Sequence, residues 1–407
     1  MSAPHLVTFV FKHAAGQVYG GERSAVLMLA NLRRVRATVV LNVEDDTATM
    51  FRAAGVPVVV LPLPDVFTGF RELTARQRLA RARVWLGYNV RARALIRELA
   101  PDVIHCNDIP EYRALAPSLA ASRVPVVLHS RCEVSLRLSH QLAMALAQRV
   151  VVVSEGLRDR YLSRVSPLVR RRIARRLVVA HNGIDLAAVD AYVAAQDRDH
   201  LRRSLGMSPD EVALLFVGSL EPRKAQLDLI EHVIPEVLAA VPCLRLYLVG
   251  GTKAQDVPYE EACRAAIHRR GLEPRVRLVG YEADIYRWYV AADMVVLPSL
   301  KEGLPRSILE ALAVGRPVIG TRIPGMGDLV RDGENGYTVE LGDHAALGAT
   351  LVAVARDSAL RRRLGQAGRR IAEREFDVRQ TAARFEQLVE ELVGEGEGVR
   401  AEARPAL

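Results

Sequence analysis

Glu302 and Glu310 stand eight positions apart in Ser299-Leu-Lys-Glu302-Gly303-Leu304-Pro305-Arg-Ser307-Ile-Leu-Glu310-Ala-Leu-Ala-Val-Gly315, the stretch of the chain most plainly arranged for chemistry. The run before it, Met294-Val-Val-Leu-Pro298, is short, apolar and β-branched, the pattern of a buried parallel strand. Pro305 suits the first turn of a helix and Gly315 its end. Gly303 and Leu304 would then offer backbone N–H groups at a positive helix terminus, which attracts phosphate. Carboxylates do not bind phosphate, but they accept hydrogen bonds from sugar hydroxyls. A phosphate held between two diol-binding carboxylates describes a nucleotide sugar.

Apolar strands alternate with helical stretches from end to end, the pattern of parallel α/β layers. In the first half the expected strands are Leu6–Phe11, Ala37–Leu41, Val56–Leu61, Val103–His105, Val124–His129, Arg149–Val153 and Leu177–Ala180. In the second half they are Ala213–Val217, Leu244–Val249, Val276–Val279, Met294–Leu297, Pro317–Thr321 and Gly336–Val339. Between them the strand pattern pauses. The expected organisation is α/β, with two doubly wound Rossmann-like domains facing across a cleft: residues 1–185, a linker over 186–209, residues 210–375, a closing helix over 376–393 packing back toward the N-terminal domain, and a frayed tail over 394–407. The closing helix places Phe385, Leu388, Val389, Leu392 and Val393 on one face. Internal repeats and a strand followed by G-x-G-x-x-G are both missing from the sequence, which argues against a solenoid and a dinucleotide dehydrogenase.

At 407 residues, half of them hydrophobic, the chain has the composition of a two-domain globular enzyme. It has no apolar stretch of membrane-spanning length and begins on a strand pattern, so the expected location is cytoplasmic, or peripheral at the inner face of the membrane. Cys106, Cys132, Cys243 and Cys263 lack C-x-x-C spacing and read as buried free thiols. The net charge of +9 comes wholly from the first half, where residues 1–210 carry 30 Lys and Arg against 18 Asp and Glu. Arg71, Arg76, Arg78, Arg81, Arg83, Arg91, Arg93 and Arg97 cluster with Trp85 on an expected helix, and a second Arg run spans 158–176. Such a face fits either an anionic membrane or glycan, or simply solvent. Aromatic residues make up only 5%, and no nucleic-acid recognition motif is present.

Taken together, the residues resemble the retaining GT-B glycosyltransferases of glycosyltransferase family 4, along nearly the whole chain. The densest likeness is the string from Ser299 through Glu302, Gly303, Pro305, Glu310, Ala311, Ala313, Gly315 and Pro317 to Thr321, similar to the family's E-x7-E motif with both flanks. The second element is Phe216-Val217-Gly218-Ser219-Leu220-Glu221-Pro222-Arg223-Lys224-Ala225. Lys224, one of four lysines in the chain, stands where the family places its phosphate-binding lysine. Family members commonly carry Gly-Arg and Lys-Gly here; Ser219 and Ala225 replace that Arg and Gly, and Arg223 is expected to supply the missing guanidinium.

By this resemblance, Glu302 contacts the donor hexose and Glu310 the ribose diol. Gly303 and Leu304 approach sugar and phosphate, with Ser307 in the same donor-binding set. The plainer reading of Glu310 is a helix-surface residue paired with Arg306, worth about 0.3 kcal/mol. Gly20-Gly21 resembles the family's glycine loop, and His129 the histidine near the reacting sugar. His105 and Asp108 are expected on the same rim, on the acceptor side. Asn182-Gly183 resembles the family's interdomain bend. Gly280 and Tyr281 stand where the nucleobase is received, with Tyr281 either stacking there or half-buried.

The resemblance implies a retaining hexosyltransferase with His129, Lys224 and Glu302 at the reacting centre. It would use a nucleotide-diphosphate sugar as co-substrate and a glycan, lipid-linked or small-molecule hydroxyl as acceptor, without nucleic acid. No D-x-D stands in a fitting context, so no metal and no cofactor are expected; Glu44-Asp45-Asp46 and Glu282-Ala283-Asp284 come nearest, and Asp284 reads as a helix cap. A nucleotide-sugar epimerase on the same fold, or a non-catalytic sugar-nucleotide or glycan-binding protein, remain alternatives.

Overall fold

The computed structural model describes residues 3–12, 18, 20–64 and 75–402. Arg71 and the last five residues lie outside the described residues. The chain divides into two compact units: residues 1–153, 157–183 and 378–407 form the first, and residues 154–156 and 184–377 the second.

The first unit is built on β1 (His5–Val10), β2 (Arg36–Leu41), β3 (Val58–Val60), β4 (Val103–Cys106), β5 (Val126–Ser130), β6 (Arg149–Val152) and β7 (Leu177–Val179). They form one parallel sheet in the order β3-β2-β1-β4-β5-β6-β7. The second unit holds β8 (Val212–Val217), β9 (Leu244–Val249), β10 (Val276–Gly280), β11 (Met294–Leu297), β12 (Val318–Thr321) and β13 (Gly336–Val339), parallel in the order β10-β9-β8-β11-β12-β13. Every strand read from the sequence is present, with ends moved by at most two residues. Central strands such as β1, β4, β5 and β11 are buried along their whole length, which is why they read as largely apolar runs, interrupted only by His5, Thr8, His105, His129 and Ser130.

In each sheet the strand order reverses once, between β1 and β4 and between β8 and β11. Loops leaving the carboxyl ends of such a strand pair diverge to opposite faces and leave a crevice, the usual ligand position in open α/β sheets.

Two segments differ from their sequence reading. Residues 186–209 contain two helices, Leu186–Ala194 and Arg198–Ser204, and fall within the second unit. The aspartates that gave the segment its linker-like composition cap those helices: Asp185 accepts from the Ala188 N–H, and Asp197 from those of Asp199 and His200. The expected tail also does not begin at 394, because a single helix runs Val378–Glu402. Phe385, Leu388, Val389 and Leu392 are buried in the core of the first unit with Leu6, Val39 and Val103, and a helix anchored this way propagates past glycines that cost about 1 kcal/mol each.

Among the described residues no helix is long and apolar enough to cross a membrane. The helix Ala75–Leu99 buries Tyr88, Ala92 and Ile96, but it exposes Leu79, Leu86 and Val90 beside Arg76, Arg78, Arg83, Arg91, Arg93 and Arg97. Cys106 and Cys263 are buried free thiols, whereas Cys132 and Cys243 are exposed, contrary to expectation.

Candidate functional site

Two polar clusters sit at carboxyl ends of strands, one in each unit. In the second unit, β8 empties into the loop from Gly218 and then a single 3-10 turn, Pro222–Lys224. A Cβ at position 218 would come within 3.3 Å of the Lys224 Cε, so a glycine there lets the lysine lie against the strand end. Ala225 ends the turn at φ 56°, ψ 33°, a left-handed conformation that costs an L-residue about 1 kcal/mol and accounts for glycine being common at this place.

Lys224 is buried, and its Nζ lies 2.6 Å from Glu302 Oε1. Arg223 Nη1 lies 3.1 Å from the same oxygen and donates to the Lys301 carbonyl at 2.7 Å, while Nη2 reaches Glu221 at 2.6 Å. Burial pushes the Glu302 carboxyl up, but the Lys224 ammonium and the Arg223 guanidinium outweigh it and hold the group below its ordinary value. Glu302 is therefore a buried anion, and both candidate cations already face it.

Pro305 sits just before the helix Arg306–Ala313, and Gly315 follows it at φ 72°. Glu310 is 4% exposed, so it is not a helix-surface residue. Its Oε1 lies 2.9 Å from Arg306 Nε, an ion pair whose geometry makes no hydrogen bond, and its Oε2 accepts from the Tyr289 hydroxyl at 3.1 Å. The Arg306 pairing anticipated as the plainer reading is thus present, but inside the protein, where its loss would strand a cation. Tyr289 also donates to the carbonyl of half-buried Ser307 at 2.9 Å. Burial, and then Glu310, push the Tyr289 phenol well up, so it stays a donor.

Gly303 and Leu304 are buried at the carboxyl side of β11. The Gly303 carbonyl accepts from Ser154 Oγ at 2.8 Å. Gly325, at φ 80°, passes so close that a Cβ would fall 1.8 Å from that carbonyl oxygen, which makes glycine obligatory. Gly280 ends β10 at φ 90°, and Tyr281 beyond it is 47% exposed. Asp284 does not cap a helix; Ile285 holds that position and Asp284 accepts from the Tyr192 hydroxyl at 2.6 Å. Asp45 caps Asp46–Ala53 and pairs with Lys12.

In the first unit, Gly20 and Gly21 open the helix Gly20–Ala30 rather than forming a loop before it. His129, on β5, is 2% exposed. Its Nδ1 is 3.3 Å from His105 Nε2, and His105 Nδ1 is 3.3 Å from Thr8 Oγ1. Burial, and then the nearby Arg131 charge, hold both imidazoles well below their ordinary value, so both are neutral. His105 is fully buried against His129 and Phe385 and does not lie on an open rim. Asp108 is half-buried and caps the helix Ile109–Ser122, accepting from the Ile109 N–H at 2.8 Å.

The sequence reading missed Arg131. Its Nε donates to Asn107 Oδ1 at 2.8 Å and its Nη1 to Asn182 Oδ1 at 2.9 Å. The available signal was its place directly after the end of a central strand. Asn182, expected only at a bend, serves as half of this clamp, and the first unit's run ends beside it at Gly183. Buried Glu111 accepts from the Phe11 N–H at 2.9 Å, and burial, with Asp108 next, pushes its carboxyl up to about 8.

Comparison with known proteins bears on both units. The family model Glycosyltransferase Family 4 matches residues 18–188, and Glycosyl transferases group 1 matches residues 211–357. A D-inositol 3-phosphate glycosyltransferase of Nocardioides sp. is 33% identical over 201 residues, covering 46% of this chain and 43% of that protein. One from Streptomyces avermitilis is 32% identical over 234 residues, covering 55% and 49%. The chain therefore spans about half the length of the curated relatives it matches. Among solved structures, Anabaena HepE in complex with UDP-glucose superposes with a TM-score of 0.75 at 22% identity, covering 96% of this chain and 99% of that one. WaaG, a glycosyltransferase involved in lipopolysaccharide biosynthesis, superposes with a TM-score of 0.65 at 16% identity, covering 94% and 99%. The two family patterns follow one another along a chain folded as two doubly wound parallel sheets, the GT-B architecture, and the protein belongs to glycosyltransferase family 4.

Proposed function

We propose that the protein is a retaining, metal-independent glycosyltransferase that moves a hexosyl unit from a nucleotide-diphosphate sugar to a hydroxyl acceptor, in the synthesis of a polysaccharide, glycolipid or cell-envelope glycan. The observation that carries this reading is the pair of buried carboxylates, Glu302 and Glu310, each held by a cation beside the carboxyl end of β11. Two buried anions eight residues apart cost folding energy, and a ligand that uses both explains their upkeep.

In this reading residues 210–375 form the nucleotide-sugar-binding domain and residues 1–185 the acceptor-side domain. Glu302 receives hexose hydroxyls, and Glu310 the ribose diol after exchanging Arg306 or Tyr289 for it. Gly303, Leu304 and Ser307 border the sugar and phosphate, and Gly280 and Tyr281 border the base. Lys224, with Arg223, neutralises the diphosphate as negative charge grows on the leaving oxygen, and stabilisation of this kind usually contributes most to the rate. The bond from the anomeric carbon to phosphate breaks, the bond to the acceptor oxygen forms on the same face, and the acceptor proton passes to the departing phosphate. With these cations at hand no divalent ion is required. In this reading the first unit contributes His129 as a neutral group near the reacting sugar, and Gly20 and Gly21 at a helix terminus next to Arg131. His105 supports His129 from within, and Asp108 fixes the adjoining helix.

Two comparisons support the donor class: HepE was solved in complex with UDP-glucose, and the curated relatives are glycosyltransferases. The exposed Leu79, Leu86 and Val90 among arginines favour a membrane-held or anionic acceptor, reached by peripheral contact with anionic lipid from the cytoplasmic side. Calorimetric titration with UDP-, GDP- and ADP-sugars, followed by mass spectrometry of products from a panel of acceptors, tests the whole. Donor turnover with no acceptor would favour an epimerase, and tight donor binding without turnover a binding protein. Flotation with anionic liposomes tests the membrane contact separately.

A further inference from the structure

The Arg131 side chain is clamped but not neutralised by the groups that clamp it. Its Nε and Nη1 are taken by two amide oxygens, at 2.8 and 2.9 Å, while its Nη2 is buried without a partner. Asn107 and Asn182 are neutral, so they fix the guanidinium plane without taking up its charge. The carboxylate of Asp108 is engaged at the Ile109 and Arg131 backbone N–H groups, Glu111 holds the Phe11 N–H through one oxygen, and both, with Glu22, act on the guanidinium charge across space. Neither forms an ion pair with Arg131 among the described residues.

A second atom nearby is likewise unsatisfied. His129 Nε2 is buried without a partner on a side chain that is 98% covered, while the rest of the ring is committed to His105. If Thr8 donates to His105 Nδ1, the proton order along the imidazole pair leaves His129 Nε2 as a donor. A third feature is the terminus of the helix Gly20–Ala30, whose Gly21 comes so near Arg131 that a Cβ would lie 3.7 Å from its Cδ. Free N–H groups at a helix start add positive potential.

We propose that Arg131 is a specificity residue of the first unit that binds an oxyanion of the acceptor, a phosphate or carboxylate, through Nη2, with His129 Nε2 and the Gly20–Gly21 terminus as further donors. This rests on the transferase reading above and narrows it: the acceptor carries a negative charge near the hydroxyl that is glycosylated. A planar guanidinium with two of its donors already fixed presents the remaining edge in one orientation, which suits an oxyanion better than a neutral hydroxyl.

The same chemistry could come from the donor's diphosphate, so the test separates the two. The full chain is saturated with UDP and then titrated with inorganic phosphate, with binding read by ³¹P line broadening. The wild type is expected to bind phosphate under these conditions. Arg131→Gln is expected to weaken that binding at least 10-fold while leaving UDP-glucose affinity within about 2-fold, and Arg131→Lys to fall between them. Lack of phosphate binding by the wild type, equal binding by Arg131→Gln, or loss of UDP-glucose affinity in that variant would each overturn the proposal. If UDP does not bind at all, the donor reading fails instead. The phosphate titration is then run on Lys224→Met, which removes the competing cation of the second unit, with the same outcomes required. A thermal melt of each variant identifies any that fail to fold, and Arg131→Lys keeps the comparison open if Arg131→Gln is among them.

Discussion

In the second unit each carboxylate of the candidate site faces a cation: Glu302 lies 2.6 Å from Lys224 and 3.1 Å from Arg223, and Glu310 lies 2.9 Å from Arg306. In the first unit the candidate groups are two neutral imidazoles and one arginine held by amides, with His129 Nε2 and Arg131 Nη2 buried and unpartnered. The difference concerns where the cost of desolvated polar groups is carried. Around Glu302 the ion pairs compensate desolvation before any ligand arrives, so a ligand must displace one partner from another, whereas Arg306 beside Glu310 keeps Nε and Nη1 buried without a hydrogen bond, as Arg131 does with Nη2. In the first unit the donors are left without partners, so a ligand gains hydrogen bonds without breaking any.

Substitutions can break this contrast at several strengths. Lys224→Met should reduce transfer by about 100- to 1,000-fold, because the growing phosphate charge loses its nearest cation. The same change should cost about 2 kcal/mol of stability in denaturant unfolding, since Glu302 keeps only Arg223. Adding Glu302→Gln should restore stability without restoring activity, and recovery of both would place the lysine's role in folding alone.

Glu310→Ala should lower transfer by about 100-fold, but the buried Arg306 makes it a poor probe of chemistry alone. Loss of that carboxylate should destabilise the protein by about 3 kcal/mol. Glu310→Gln, which keeps an acceptor for Tyr289, should retain more of the stability at a similar loss of nucleotide affinity in a UDP titration. Equal stability of the two variants would show that the hydrogen bond from Tyr289 contributes little.

The Glu111 carboxyl should make stability depend on pH. Burial raises it to about 8, so the folded chain keeps a proton that the unfolded chain releases. Stability is then fully present at low pH as far as this group is concerned and declines as pH rises toward 8. Between pH 7 and 8, where the acid penalty from neutral His105 and His129 is largely spent, the decline should be about 1 kcal/mol. Glu111→Gln should flatten it in urea titrations at both pH values, and an unchanged slope would assign the dependence elsewhere.

His129→Phe should have the smallest effect on stability, within about 1 kcal/mol, because it removes an unpartnered polar atom from a buried ring next to Phe385. A larger loss would mean that the bond to His105 stabilises the first unit more than its 3.3 Å length implies.

Much of the fold is legible in the order of the residues. The strands can be read because parallel strands, buried on both faces at the centre of each sheet and partly at β3 and β7, appear as short runs rich in β-branched residues. The helices of residues 186–209 escape such a reading although Asp185 and Asp197 stand as caps, because dense aspartate reads as linker composition unless each position is weighed for itself. The helix past Gly394 escapes it because its anchor, the packing of Phe385 through Leu392 on the first unit's core, is tertiary.

Local spacing along the chain was enough to set the succession of strands, the strand-loop-helix setting of Glu302 and Glu310, and the likeness that places Lys224 beside them. Which groups are charged, paired or unpartnered depends instead on how distant segments meet. Asn107 and Asn182 are 24 and 51 positions from Arg131, so no periodicity links the three, and only the pairing of β4, β5, β6 and β7 in one sheet brings them into one clamp. The same holds for burial. Glu310 and Arg306 have the spacing of a weak surface pair, and their 6% and 13% exposure means that removing either would leave the other charge desolvated.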